Sequence, residues 1–525
     1  MRLWIAALAA LIVATPAAAQ RWHVAETNNF IVKSEDGEEE TRQFAIDLER
    51  FDMALRTLQD MPIGEEQPTK ATKLTVYRFG DIGDIGRMAG VSGVAGFYIP
   101  RAGDSVAFTP QRERRRRSNS VVNRDRREEV QRLDAVSVLQ HEYVHYFMMQ
   151  HFPAAYPSWY VEGFAELMAT TRFNENGSFH VGDPPQYRAY QIFQMRQFPL
   201  SDMLNAEHDL AGREAYQFYG TGWLLTHYLN FNKYAELTEY LTAIGQGEDS
   251  LTAAERIFGD LDEIDEILRD YRDGPFPGID VLPADYAEPQ VSVRAMSEIE
   301  ERMIMEEMQL RRGTDKDEAQ SLASSIRRDI AAAGESPQAL YLLARAEYSA
   351  ENYDAAEQAA QRLIALDADS VEGNLMMSWV SLERIEDDPS WAEPAREYAA
   401  AALDGDMADP RSRIAYYASW FEAKEEAPMN AIIALEDAFE TAGSDPAYRV
   451  ILGRQLVLED RLDSARIVLM PIAFRGHNQG PEEDEEVDED APPSLNDVMR
   501  SINAGDRDTA LAELDEILNW EPEDS

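Results

Sequence analysis

His141, Glu142 and His145 stand together in the run Val138-Leu139-Gln140-His141-Glu142-Tyr143-Val144-His145, and Glu162 follows seventeen positions after His145 in Ser158-Trp159-Tyr160-Val161-Glu162-Gly163-Phe164-Ala165-Glu166. Two imidazoles and a carboxylate are zinc-ligand chemistry. On an α-helix, residues four apart project from one face one above the other, so both imidazoles reach a single ion. A second helix carrying Glu162 can supply a third ligand. Three protein ligands leave a tetrahedral position open for water, which separates catalytic from structural zinc. Val136, Leu139, Tyr143, Val144 and Phe147 surround the histidines with apolar side chains, as a buried helix requires, between Asp134 and Pro153. The bland alternative is two surface histidines on an amphipathic helix with Glu166 as a solvated carboxylate. The downstream segment argues against it.

Together the two segments resemble the gluzincin branch of the zincin metallopeptidases. Trp159-Tyr160-Val161-Glu162-Gly163-Phe164-Ala165 is similar to the third-ligand helix of the membrane-alanyl-aminopeptidase type, and the pair looks most like the smaller peptidase-MA-like families of bacterial secreted proteins. The resemblance spans residues 22 to 270 and is strongest from 136 to 170. The spacing from His145 to Glu162 is shorter than in the aminopeptidases, and their Gly-x-Met-Glu-Asn motif is missing, so their exopeptidase activity is not implied. What the resemblance does imply is that His141, His145 and Glu162 ligate zinc and that Glu142 is the general base. Bound zinc lowers the pKa of its water to about 7, and a neighbouring carboxylate takes the proton as the water attacks a carbonyl. Glu166, one turn beyond Glu162, can face the same site and accept a hydrogen bond from the non-ligating nitrogen of a zinc histidine. Its alternative is an ordinary charged residue on an amphipathic helix.

An oxyanion developing opposite the metal needs a donor. Tyr219 is the candidate, in the helix-like stretch Tyr216-Gln217-Phe218-Tyr219-Gly220-Thr221-Gly222-Trp223-Leu224-Leu225-Thr226-His227-Tyr228-Leu229, which is similar to one that follows the third ligand in related families. Tyr216 and His227 are weaker candidates. Aromatic residues at helical spacing are more often core than catalytic.

Upstream, Phe30–Lys33 reads as a strand, 40–59 as a helix, and Lys73–Phe79, Val94–Ile99 and Ser105–Phe108 as short strands between Gly, Pro and Asp signals. An edge strand beside the metal can pair with an extended peptide through main-chain hydrogen bonds, and 94–99 is the candidate.

The chain begins with one basic residue, an apolar run to Val13 and an Ala17-Ala18-Ala19 end, the pattern of a secretory signal peptide cut after Ala19. That run is short for a membrane span, and no later stretch approaches the eighteen apolar residues one needs. With no cysteine among 525 residues, disulfides and a lipobox anchor are excluded, so stability rests on packed cores. The expected location is periplasmic or secreted. A net charge of −48 excludes a nucleic-acid binder. The nine arginines in 112–132 lack periodicity and read as a loop.

After the Gly/Pro-rich stretch 273–278, composition shifts to Ala, Glu, Leu and Arg with helical periodicity. Ala319, Ala356, Ala395, Ala431, Ala465 and Ala510 recur at 37, 39, 36, 34 and 45 residues, close to the period of about 34 of a tetratricopeptide unit, where a second-helix alanine packs against the first helix. The longest gap contains an acidic insertion, 481–491. Asn352-Tyr353-Asp354-Ala355-Ala356 and Leu462-Asp463-Ser464-Ala465 resemble that unit's turn and second helix. Such stacks leave a concave surface for a peptide substrate or a protein partner.

The expected architecture is an α+β zincin-like metallopeptidase domain at 20–272, a linker at 273–295 and an all-α tetratricopeptide-like helical repeat domain at 296–525. The expected activity is zinc-dependent peptide hydrolysis. The competing reading is an interaction protein with a zincin fold and no useful turnover, whose repeats carry its role.

Overall fold

The computed structural model describes residues 22–64, 68–91, 94–112, 135–152, 154, 156–204, 212–473 and 492–519. The expected signal peptide, the arginine run beyond Arg112 and the acidic run 482–490 lie outside them.

The N-terminal half is built on a six-stranded sheet. Its first strands are β1 (His23–Glu26), β2 (Phe30–Ser34), β3 (Leu74–Asp81), β4 (Phe97–Ile99) and β5 (Val106–Arg112). The order is β4-β5-β3-β2-β1-β9, where β9 is Ser292–Ala295. β2, β3 and β5 run parallel, with Phe30 opposite Leu74 and Tyr77 opposite Phe108, while β4, β1 and β9 are antiparallel to their neighbours.

Because side chains alternate across a sheet, each strand feeds two cores. Phe30, Val32, Leu74, Val76 and Ala107 face one side, where they meet Phe44, Leu48, Phe51 and Leu55 of α1 (Glu38–Leu58) and Tyr143, Val144 and Phe147 of α3 (Ala135–His151). Ile31, Tyr77, Phe79, Val106 and Phe108 face the other, under Ile85 and Met88 of α2 (Ile82–Ala89) and Ile304 and Met308 of α6 (Glu298–Arg312). Between α3 and α6 come α4 (Ser158–Met168), the small antiparallel sheet of β6 (Arg172–Phe173), β7 (Phe179–Val181) and β8 (Ile279–Val281), and the long α5 (Gly212–Asn232).

The stretch 273–295, expected as a linker, therefore supplies β8 and β9 to the two sheets, and α6, expected to open the repeats, also closes the second face of the N-terminal sheet. The short alternation Ser292-Val293-Arg294-Ala295 gives a strand too little periodicity to be read without its partner.

The C-terminal half is a succession of paired helices: Glu298–Arg312 with Lys316–Ala333, Pro337–Ser349 with Tyr353–Leu366, Val371–Glu383 with Ala392–Gly405, Pro410–Glu422 with Met429–Asp437, Pro446–Leu458 with Leu462–Ala473, and Leu495–Asn503 with Arg507–Asn519. First helices start on Ser or Asp caps, three of them followed by proline at the first helical position: Ser336-Pro337, Asp409-Pro410 and Asp445-Pro446. The recurring alanines Ala319, Ala356, Ala395, Ala431, Ala465 and Ala510 all sit on second helices and are all fully buried. A methyl group is what lets the paired helices approach there. Among the described residues, no helix is long and apolar enough to cross a membrane.

Candidate metal centre

Three helices bring the centre together. α3 carries His141 and His145 on one buried face, and its orientation is fixed by α1: the Tyr143 hydroxyl donates to Asp52 at 2.8 Å, and Asp52 also accepts from Arg56 at 2.7 Å. α4 carries Glu162 and Glu166, one turn apart and both buried. It lies so close to α5 that a Cβ on Gly163 would stand 2.1 Å from Thr226 Oγ1 and 2.5 Å from the Gly222 carbonyl. The glycine after Glu162 is thus required by a backbone crossing that sets the depth of the carboxylate.

At the centre, His141 Nε2 and His145 Nε2 are 3.1 Å apart, His141 Nε2 is 3.4 Å from Glu162 Oε2, and His145 Nε2 is 3.6 Å from Glu162 Oε1. Both imidazoles aim the same nitrogen at one point, which the carboxylate closes on a third side. Two nitrogens and one oxygen, all buried and within 4.8 Å of one another, form a donor set that fits zinc. Burial alone would lower the pKa of His141, but the hydrogen bond to Glu162 and the negative charges of Glu166, Glu162 and Glu142 outweigh it and raise the pKa to about 9. The protein has concentrated negative charge where a cation belongs.

Glu142 follows His141 on α3 and is half-buried, and its charge reaches both His141 and Tyr219. Glu166 Oε1 lies 3.7 Å from His141 Nδ1, on the side away from the cluster. Its carboxylate is held by two residues that sequence reasoning missed: Tyr187 donates to Oε2 at 2.5 Å, and Arg188 Nε donates to Oε1 at 2.8 Å. They occupy a single 3-10 turn, Gln186–Arg188, with no periodic pattern around it to flag them. The Arg188 guanidinium also stacks over the Tyr219 ring at 4.6 Å, so one cation links Glu166 to Tyr219. Burial and the charge of Glu162 raise the pKa of the Tyr219 phenol, Arg188 opposes them, and Glu166 and Glu142 add to the rise. The phenol stays a proton donor at neutral pH.

The other two tyrosine and histidine candidates do not join the cluster. His227 is a core residue: Nε2 donates to the Gly182 carbonyl at 3.0 Å, Nδ1 accepts from the Tyr271 hydroxyl at 2.8 Å, and burial lowers its pKa to about 4. Tyr216 is 53% exposed, one turn before Tyr219 on α5. β4, within the 94–99 segment expected to form a strand, is the end strand of its sheet, and its Tyr98 ring lies 5.7 Å from Tyr146 of α3. A cavity of about 990 Å³ opens near the start of α3, lined by Gln140, Arg50, Asn174 and Tyr187 among others. None of the three clustered residues lines it, so it is not where the chemistry converges.

The collagenase family model, peptidase family M9, matches residues 116–259, which include His141, Glu142, His145, Glu162, Glu166 and Tyr219. Residues 116–259 are thus similar to a metallopeptidase family. None of the curated proteins compared matches the chain. Among solved structures, a thermophilic TPR protein of Thermus thermophilus is similar at 17% identity and a TM-score of 0.27, covering 35% of this chain and 91% of that one.

Proposed function

We propose that this chain is a secreted or periplasmic zinc-dependent metallopeptidase of gluzincin type. The observation that carries the reading is the convergence of His141 Nε2, His145 Nε2 and the Glu162 carboxylate within 4.8 Å of one another, with Glu142 next to His141. His141, His145 and Glu162 hold the ion. Zinc, when bound, supplies an acidified water and polarises the scissile carbonyl.

The chain's own groups do the rest. Glu142 takes the water's proton and returns it to the leaving amine. Tyr219, kept protonated, donates to the oxygen on which negative charge develops. Glu166 faces Nδ1 of His141 and orients that ring, with Tyr187 and Arg188 fixing the carboxylate in turn. β4 offers a main-chain edge to an extended peptide, which gives affinity with little demand on sequence. The C-terminal helix pairs are tetratricopeptide-like repeats, a reading supported by the burial of six alanines at near-regular spacing.

The test is elemental analysis of the purified full chain. One zinc per chain, lost to a chelator and recovered on adding zinc, is expected. Zinc absent after loading at stoichiometric excess would remove the basis of this function.

A further inference from the structure

The loop between β4 and β5, residues 100–105, turns through Gly103 and Asp104, both at positive φ (64° and 68°). Glycine, asparagine and aspartate are the usual residues in that region, and what sets Asp104 apart is the contact its side chain makes. The contact is with the helical half. Asp104 Oδ1 pairs with Arg311 at 2.9 Å, and Oδ2 pairs with Arg345 at 2.7 Å and lies 3.9 Å from Arg411. Beside it, the Ala102 amide donates to Asp445 at 2.6 Å, and Arg101 donates to the Arg312 carbonyl at 3.1 Å.

The partners follow a pattern. Arg311, Arg345, Arg411 and Asp445 belong to, or cap, the first helices of four different pairs, and Lys70 adds the remaining one among the first five pairs through Glu372 at 3.1 Å. The face formed by first helices therefore receives this chain's own hairpin. Three guanidiniums around one half-buried carboxylate make a directional anchor, and they hold the Asp104 carboxyl far below the usual carboxylate range against its desolvation. From that tip β4 runs back to Tyr98, against Tyr146 of the helix that carries both histidines.

We propose that Asp104 is a positioning residue for peptide hydrolysis: the arginines of the helical half grip the hairpin tip and so hold β4 beside α3, where an extended peptide substrate adds to the sheet. This rests on the metallopeptidase reading. The repeats then act on catalysis from within the chain, by bracing the strand that receives substrate.

The experiment uses the zinc-loaded full-length protein, Asp104→Asn and Asp104→Glu, with zinc content, amide exchange at Phe97–Ile99 and the separate kcat and KM for an extended peptide as readouts. Asp104→Asn is expected to keep its zinc, to raise exchange in β4 but not in α1, and to raise KM roughly tenfold or more while kcat changes little, because substrate placement is what is lost. Asp104→Glu, which keeps the charge, restores part of the KM. Where Asp104→Asn has no cooperative melt, Arg345→Gln takes its place, since it removes one of the three guanidiniums, and a smaller shift of the same kind is expected. Unchanged exchange and KM in a folded variant would overturn the role of Asp104 while leaving the peptidase intact. A zinc-loaded wild type that cleaves no peptide would overturn the underlying reading instead.

Discussion

A Cβ placed on Gly163 would meet Thr226 Oγ1 at 2.1 Å, so the residue after Glu162 must lack one for α4 and α5 to cross as they do. The contact is with a short side chain and the Gly222 backbone, neither of which can swing aside. Gly163→Ala is therefore expected to push α4 off α5, lowering stability by about 1–3 kcal/mol, the usual cost of overpacking. It should also weaken zinc by roughly an order of magnitude through displacement of Glu162. A thermal melt and a zinc titration check both. Gly245, with nothing near its missing Cβ, is the control position for substitution by alanine.

Tyr219 sits under Arg188 with its phenol held protonated by burial and by Glu162. Tyr219→Phe removes only the hydroxyl. If that hydroxyl stabilises the oxyanion, kcat falls by about 10²–10³ with KM nearly unchanged. Steady-state kinetics on a peptide substrate read the split, and an equal kcat would return Tyr219 to the core.

The metal-free protein should show a pH dependence that comes from His141. Its folded pKa of about 9 lies above the ordinary 6.5, so the charged imidazolium contributes stability that is fully present below 6.5 and lost as pH rises through 9. Metal-free wild type is expected to melt progressively lower across that window, and His141→Gln to lack this fall. Zinc must displace the same proton, so its apparent affinity rises over the same range. Melting curves from pH 6 to 9.5 with chelator present test the first point, and zinc titrations at those pH values test the second.

Ending the chain near residue 290 removes β9 from the N-terminal sheet, together with Met296 and the α6 residues Ile304 and Met308 that cover its second face. Each large apolar side chain lost from that face forfeits about 1.5–3 kcal/mol of burial. Glu307, which accepts from Tyr77 at 2.7 Å and pairs with Lys33, goes with them. A protein of residues 22–290 is expected to lack a cooperative melt under conditions where the full chain has one. Circular dichroism through a thermal ramp decides it.

His141 and His145 were legible as a pair because helix geometry turns a four-residue spacing into a shared face, Glu162 through the family resemblance of its segment, and the six alanines because a stacked helix needs a small residue once per unit. Less was visible where partners come from distant chain. Arg188 and Tyr187 sit on a single 3-10 turn and matter because Glu166 is folded onto them. His227 looked like a site residue since its two partners, the Gly182 carbonyl and the Tyr271 hydroxyl, are far away in sequence. Gly103-Asp104 reads as ordinary turn punctuation, and its three arginines lie 207 to 307 positions downstream (311 − 104 to 411 − 104). β8 and β9 fell within the expected linker, and α6 within the expected repeats, because closure of a sheet is a property of the assembled fold.

The most direct test pairs the zinc-loaded wild type with zinc-loaded Glu142→Gln on a mixture of unstructured peptides, with products read by mass spectrometry. Glutamine keeps the shape and leaves the three ligands in place, but cannot accept a proton from water at neutral pH. Equal zinc in both proteins is expected, with new peptide termini from the wild type and essentially none from the variant. Equal cleavage by the two, or none by a wild type carrying its full zinc, would contradict hydrolysis with Glu142 as the base.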